Sequence, residues 1–288
     1  MSVNHYENFP VASWLCPPAM RGAVVAIYHF ARSADDMADE GDAPAAQRRS
    51  ELARYRAALH RAALGTTQAA DWPAVFNPLA EAMARHRLPL APLNDLLSAF
   101  ERDTHNPRYP DRTALLDYCR HSANPVGRLM LHLAGVHDAR SLAQSDAICT
   151  ALQLINFWQD PSRDLPRGRH YVPEADAQRH GLRLDDLAQL AAAGRHTPQS
   201  QALWRELCTW AGTLMHQGAP LALRVPGRLG WELRLVVQGG LRILEKIEAM
   251  QFRCLNQRPV LGPLDGPLLL WRAWRMQATP PAAGVTAR

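Results

Sequence analysis

Two acidic segments of the chain carry oxygen ligands at helical spacing. In ARSADDMADE (Ala31 to Glu40), Asp35 and Asp39 stand four residues apart, and at ~100° per residue they share the helical stripe of Val24 and Tyr28. In NFWQDPSRD (Asn156 to Asp164), Asn156, Asp160 and Asp164 repeat that spacing behind Cys149 and Leu152. A solvated charge run sits opposite the apolar face of its helix, whereas carboxylates that prolong the buried stripe are costly unless something neutralises them. If the two segments face each other with carboxylates ~6 Å apart, each like-charge pair costs roughly 3 kcal/mol at an effective dielectric of ~20. Carboxylates and an amide suit a hard cation, and Mg²⁺ completes its shell from water and substrate phosphates. The expected cofactor is therefore Mg²⁺, and the expected substrate a diphosphate. Either segment alone reads equally well as an exposed helix end or a loop with ordinary salt bridges; their coincidence favours a site.

The elements that must position these residues read as helices. Few segments alternate with a period of two, while many carry apolar residues three and four apart. Helices are expected near Arg21 to Asp39, Ala45 to Leu64, Trp72 to Arg87, Leu90 to Phe100, Thr113 to Leu133, Ser141 to Asp160, Gln199 to Leu223 and Leu229 to Gln251. Pro and Gly mark the joints, and none of these is long enough to link two domains. The expectation is one all-α domain over residues 1–277, followed by a disordered tail at 278–288. Pro161 directly after Asp160 removes a helical hydrogen bond and crowds the carbonyl of Phe157, which predicts that Asp164 leaves the ideal face.

Composition narrows the function further. Of 288 residues 47% are hydrophobic, yet no apolar run approaches the ~18 that a membrane span requires. MSVNHYENFP has neither a secretory nor a transit pattern, so the expected location is cytoplasmic, with contact at the inner face of the membrane as a further expectation. The five cysteines are scattered and never form a CxxC pair, which points to reduced thiols rather than disulfides or a zinc site. The net charge is +5 and Lys246 is the sole lysine, so the cations are arginines, suited to bidentate phosphate recognition. They alternate with acids and form no basic run or module, which argues against nucleic acid as a partner.

In combination the two motifs resemble those of the squalene and phytoene synthase family, from about His5 to Arg258. Asp35 and Asp39 match the family's first DxxxD, and Asn156, Asp160 and Asp164 match its NxxxDxxxD. Arg32 matches an arginine beside the diphosphate, Tyr28 an aromatic position of the same pocket, and LPRGRHYVP (Leu165 to Pro173) a segment that offers Arg167 and Arg169. Within the family the resemblance is nearest to the hydroxysqualene synthases of bacterial hopanoid pathways, the HpnC-type branch. HYENFPVAS (His5 to Ser13), with His5 and Asn8 as substrate contacts, YCRHSANPVG (Tyr118 to Gly127) and NFWQD (Asn156 to Asp160) carry that likeness. Gln159, where the wider family has arginine, and ANPVG, where it has AGTVG, are features of the branch.

The resemblance implies an isoprenoid synthase helical bundle with a central cavity. It also implies Mg²⁺-dependent ionisation of presqualene diphosphate, followed by rearrangement and capture by water to give hydroxysqualene and diphosphate. Asp35, Asp39, Asp160 and Asp164 would hold the metal with Asn156; Arg32, Arg169 and His5 would bind diphosphate; and Tyr118 would lie near the cation. No GxGxxG signals a nicotinamide cofactor, which fits hydration better than reduction. Pro125 cannot donate to the carbonyl of His121, so a kink there would free an oxygen to place the attacking water; plain packing is the competing account. Two further readings are a head-to-head prenyl transferase, making presqualene diphosphate, squalene or phytoene, and a non-catalytic homologue that serves assembly with other pathway enzymes. LLLWRAWRM (Leu268 to Met276) suits either a membrane surface or packing on the body.

Overall fold

The computed structural model describes residues 15–66 and 71–277. Fourteen α-helices and a short 3₁₀ turn, with no strand, account for the regular structure among them. The helix α1 (Pro18–Asp39) divides two cores. Its Ala23, Ala26, Ile27, Phe30, Ala34 and Ala38 pack into the first, built with α2 (Ala45–Ala63), α3 (Pro73–His86) and α4 (Leu90–Asp103). On another side, Met20 and Val24 join the second core.

That second core centres on α7 (Ala139–Gln159), which packs against α6 (Asn124–Leu133), α11 (Pro198–Gly218) and α13 (Gly227–Ala249). Gly127 lets α6 approach α7, since a Cβ there would lie 2.4 Å from Ser145 Oγ and 2.6 Å from Cys149 Sγ. The two cores meet at α6, whose Leu129 faces one and Leu131 the other.

Three expected helices differ in the structure, one of them because the segment read as Gln199 to Leu223 is interrupted at Ala219 and Pro220, just beyond α11. The segment read as Thr113 to Leu133 is divided at Ala123 (φ −117°, ψ −48°) into α5 (Arg112–Ser122) and α6. Pro125 sits at the start of α6, where the missing N–H costs nothing, so it opens a second helix instead of kinking one. α7 ends at Gln159 because Pro161 starts a new one-turn helix, α8 (Pro161–Asp164). A 3₁₀ turn, Leu165–Arg167, follows at once.

Beyond that turn lie α9 (Glu174–Arg179) and α10 (Leu184–Ala192), neither of which the apolar periodicity marks. α9 is fixed by charge: Asp176, 1% exposed, takes hydrogen bonds from Arg112, the nearer at 2.9 Å, and Arg179 and His180 reach Glu206 of α11 at 2.7 and 2.8 Å. The last elements are α12 (Leu221–Arg224) and α14 (Asp265–Arg275). The buried Asp265 pins α14 to α13 through Arg242 at 2.8 Å and Lys246 at 2.5 Å. All five cysteines are free thiols. No helix among the described residues is long and apolar enough to cross a membrane.

Candidate active site

The stripe of α1 that carries Val24, Tyr28, Asp35 and Asp39 is half-buried rather than buried. It lies beside the alanine-rich face that fills the first core, and its C-terminal turns wall a cavity of about 830 Å³. Arg32, Asp35 and Asp39 line this cavity, with Asp103 from the end of α4 and Arg167 and Arg169 from the loop after α8. Arg32 reaches Asp35 at 3.2 Å, Asp36 at 2.5 Å and Glu40 at 3.1 Å. Arg169 crosses to Asp39 at 2.8 Å.

The loop that delivers these arginines turns at Gly168, whose φ of +72° an L side chain rarely adopts. Arg169 N–H then bonds the Asp164 carbonyl at 3.0 Å, and Asn106 Nδ2 donates to the Arg167 carbonyl at 3.3 Å. The loop is thus clamped at both ends, and its guanidinium groups face the acids of α1.

The second acidic segment is held differently. Asn156 shares the stripe of Cys149 and Leu152, which is likewise half-buried rather than buried. Asp160, 9% exposed, forms the C-cap of α7 and is paired to both nitrogens of one arginine edge, Arg258 Nε and Nη2, the latter at 3.2 Å. Its neighbour Gln159 is fully buried and donates to the Pro259 carbonyl at 2.6 Å. Adjacent residues of α7 therefore fasten the 258–259 segment. After the break at Pro161, the Asp164 N–H still bonds the Asp160 carbonyl at 3.0 Å, so α8 keeps Asp164 one helical turn beyond Asp160.

Three carboxyls in this region hold their protons unusually well. Burial, then the charge of Asp39, raises Asp35 to about 6. Burial raises Asp103 to about 7, against the hydrogen bond from Tyr118. Burial, then Asp160, raises Asp164 to about 7, with a smaller contribution from Asp39.

Among the described residues no three His, Cys, Asp or Glu side chains stand close enough to hold one metal ion. Arginines stand between the acids instead. The donor set nevertheless fits a hard cation: it is all oxygen, and two of its carboxyls, Asp35 and Asp164, are pushed up by burial and by neighbouring acids, which an incoming positive charge would relieve.

Below the charged rim lies an aromatic group. Tyr118, 3% exposed, donates its hydroxyl to Asp103 Oδ2 at 2.9 Å. Around it are Tyr109 at 5.5 Å, Phe157 at 6.2 Å and Tyr171 at 6.2 Å between ring centroids, with Phe157 and Tyr171 stacked at 3.7 Å.

Of the residues singled out by sequence, Arg32, Asp35, Asp39, Arg167 and Arg169 meet at the cavity wall. Tyr28, Tyr118, Pro125 and the whole second motif, Asn156, Asp160 and Asp164, do not line the cavity. Tyr28 is half-buried on α1, one helical turn before Arg32. Pro125 is buried beside Asn124, whose side chain accepts from Thr150 at 2.9 Å. His5 and Asn8 lie outside the described residues. Sequence reading missed Asp103 and Arg258, because neither belongs to a spaced motif.

Comparison with known proteins places this geometry in context. The family model described as squalene/phytoene synthase matches residues 3–265. A hydroxysqualene synthase of Sinorhizobium fredii is 32% identical over 267 residues, covering 92% of this chain and 86% of that protein. A phytoene synthase of Thermus thermophilus is 31% identical over 279 residues, covering 96% and 91%. The solved structure of squalene synthase HpnC from Alicyclobacillus acidocaldarius is 38% identical, covers 86% of this chain and 90% of that one, and superposes with a TM-score of 0.77. A match that runs through both acidic segments and the loop between Leu165 and Pro173 makes this chain a member of the squalene/phytoene synthase family.

Proposed function

We propose that this enzyme is a hydroxysqualene synthase, which ionises presqualene diphosphate with Mg²⁺, allows the carbocation to rearrange and captures it with water. The observation that carries the reading is the cavity itself, whose wall combines the acids of α1 and Asp103 with Arg32, Arg167 and Arg169, and whose Asp103 accepts a hydrogen bond from Tyr118 of the aromatic group. The likeness to hydroxysqualene synthases over nearly the whole chain supports this choice of reaction.

In this reading Asp35, Asp39, Asp160 and Asp164, with Asn156, hold Mg²⁺, which when bound stabilises negative charge on the departing diphosphate. Arg32, Arg167 and Arg169, which line the cavity, would donate hydrogen bonds to the diphosphate oxygens. The aromatic group of Tyr118, Phe157 and Tyr171 would favour a cation held beside it and deny that cation stray nucleophiles. Asp160 is paired to Arg258 on the α7 side, and that guanidinium would be a further cation beside the bound diphosphate.

A head-to-head prenyl transferase is the second reading, favoured by the likeness to the Thermus phytoene synthase. Purified protein with Mg²⁺, given presqualene diphosphate or farnesyl diphosphate in separate reactions, distinguishes the two by mass spectrometry of the products. Hydroxysqualene from presqualene diphosphate, with farnesyl diphosphate left unchanged, is the expected result. Conversion of farnesyl diphosphate to a C30 or cyclopropyl product would assign the transferase instead.

The substrate and product are lipids, and α14 offers a surface for reaching them. Leu264, Leu270, Trp271 and Trp274 form an outward stripe, with Leu264 91% and Trp274 69% exposed. Arg275 lies over the Trp271 ring at 5.3 Å, an arrangement suited to the headgroup boundary of an anionic bilayer. The acids at the base of α14 do not oppose such contact, because Asp265 and Glu245 are taken by Arg242, Lys246 and Arg272. In co-sedimentation with phosphatidylglycerol vesicles the protein is expected to pellet, and Trp271→Ala with Trp274→Ala to remain in the supernatant. Equal pelleting of the two proteins would remove α14 as the contact.

A further inference from the structure

Asp103 differs from the acids that the sequence motifs supply. Asp35, Asp39 and Asp160 are each ion-paired to an arginine, whereas Asp103 takes its hydrogen bond from a neutral phenol. Asp103 both lines the acid and arginine cavity and accepts the Tyr118 hydroxyl at its Oδ2. It therefore connects the solvent-reached rim to the aromatic group of Tyr109, Tyr118, Phe157 and Tyr171. A reaction that ends by adding water to a carbocation is served by such a connection, because one proton must leave an otherwise dry region.

We propose that Asp103, acting through Tyr118, accepts the proton of the water that quenches the carbocation; this rests on the hydroxysqualene synthase reading above. In that step the water oxygen forms a bond to the cationic carbon. One water proton passes to Tyr118 Oη, while the phenolic proton moves along the 2.9 Å hydrogen bond to Asp103 Oδ2. The carbocation, water and carboxylate become an alcohol and a carboxylic acid. Tyr118 ends as it began, and Asp103 returns its proton to solvent through the cavity. Burial holds the Tyr118 hydroxyl well above the ordinary phenol range, which keeps it a neutral relay. Tyr118 touches the water in this scheme; Asp103 is the positioning and accepting residue behind it.

The test compares wild type, Asp103→Asn and Tyr118→Phe with presqualene diphosphate and Mg²⁺, reading moles of hydroxysqualene per mole of diphosphate released. That ratio reports how the cation is quenched, whatever the rate of ionisation. Asparagine can still accept the Tyr118 hydrogen bond but cannot take a proton, so packing is preserved while the chemistry is removed. The ratio is expected to fall at least about tenfold in Asp103→Asn, short of the ~10²-fold that a placed base often contributes, because water also adds to carbocations unaided. Elimination products should take up the difference. Tyr118→Phe should give the same shift, and the double variant no more than either.

An unchanged ratio in Asp103→Asn would overturn the inference and leave the released diphosphate as acceptor. If Asp103→Asn does not fold, Tyr118→Phe decides in the same way, since phenylalanine keeps the buried ring. A wild type that makes no alcohol from presqualene diphosphate would overturn the underlying reading, a result separate from a variant that makes alcohol at the wild-type ratio.

Discussion

Replacing Asp35 and Asp164 together by asparagine is expected to lower diphosphate release from presqualene diphosphate by more than about 10³-fold, since each removed group that meets charge developing in the transition state is worth ~10² to 10³. The same double variant should melt at a higher temperature than wild type when metal is removed with a chelator. Both carboxyls are pushed up by burial and by neighbouring acids, Asp35 to about 6 and Asp164 to about 7, so near pH 8 their charged forms destabilise the metal-free fold. Arg32 loses little in the exchange, because Asp36 and Glu40 remain within its reach. Asp160 behaves in the opposite way. It is buried against Arg258, and removing one member of such a pair leaves an uncompensated charge at a cost of about 3 to 5 kcal/mol. Asp160→Ala should therefore lose turnover and melting temperature together. Turnover of the Asp35 and Asp164 variant within tenfold of wild type would refute the assignment of these acids; a melting temperature that falls as it does for Asp160→Ala would refute the electrostatic account.

The contrast between these acids marks what the chain discloses before it folds. The stripes of Val24, Tyr28, Asp35 and Asp39 and of Cys149, Leu152 and Asn156 are legible because a helix places residues three and four apart on one side, and that regularity needs no partner. What the helical period cannot tell is whether a stripe meets packed core or a cavity. The first stripe is half-buried because the alanine-rich face beside it has the tighter packing. Partnerships across the fold are not legible either. Tyr118 donates to Asp103 fifteen residues earlier, and Asp160 binds Arg258 ninety-eight residues later, so nothing local announces them. The break at Ala123 was signalled by Pro125, but a proline mid-pattern specifies either a kink or a new N-terminus. The capacity of Ala123 to leave helical geometry decides it. α9 escaped detection because its anchor is the buried charge of Asp176, held by Arg112 and Arg179, rather than an apolar face.

Metal-free protein is expected to melt at a higher temperature at pH 5 than at pH 8, and Mg²⁺ with inorganic diphosphate is expected to remove most of that difference. Asp35, Asp103 and Asp164 are raised to about 6, 7 and 7 from an ordinary value of 3.8. Between about pH 4 and pH 7 the native state therefore keeps protons that the unfolded chain has already released. Stability falls with rising pH wherever the native state binds more protons, so the stabilising contribution of these groups is full below the unfolded value and is lost as pH rises through the folded ones. Asp138, depressed to about 2 by its hydrogen bonds at the start of α7, titrates below this window. His170, lowered by burial, works in the opposite sense but is a single group. A divalent cation must displace the same protons, so its apparent affinity should climb from pH 5 to about pH 7 and then level off, with measurable proton release in weak buffer. Asp164→Asn should shrink both the pH slope and the proton release, because it removes one of the contributing groups without touching the Arg258 pair. If the metal-free protein instead melts highest at pH 8, or if metal loading releases no protons at pH 6, the facing carboxyls are not the place where the cation binds.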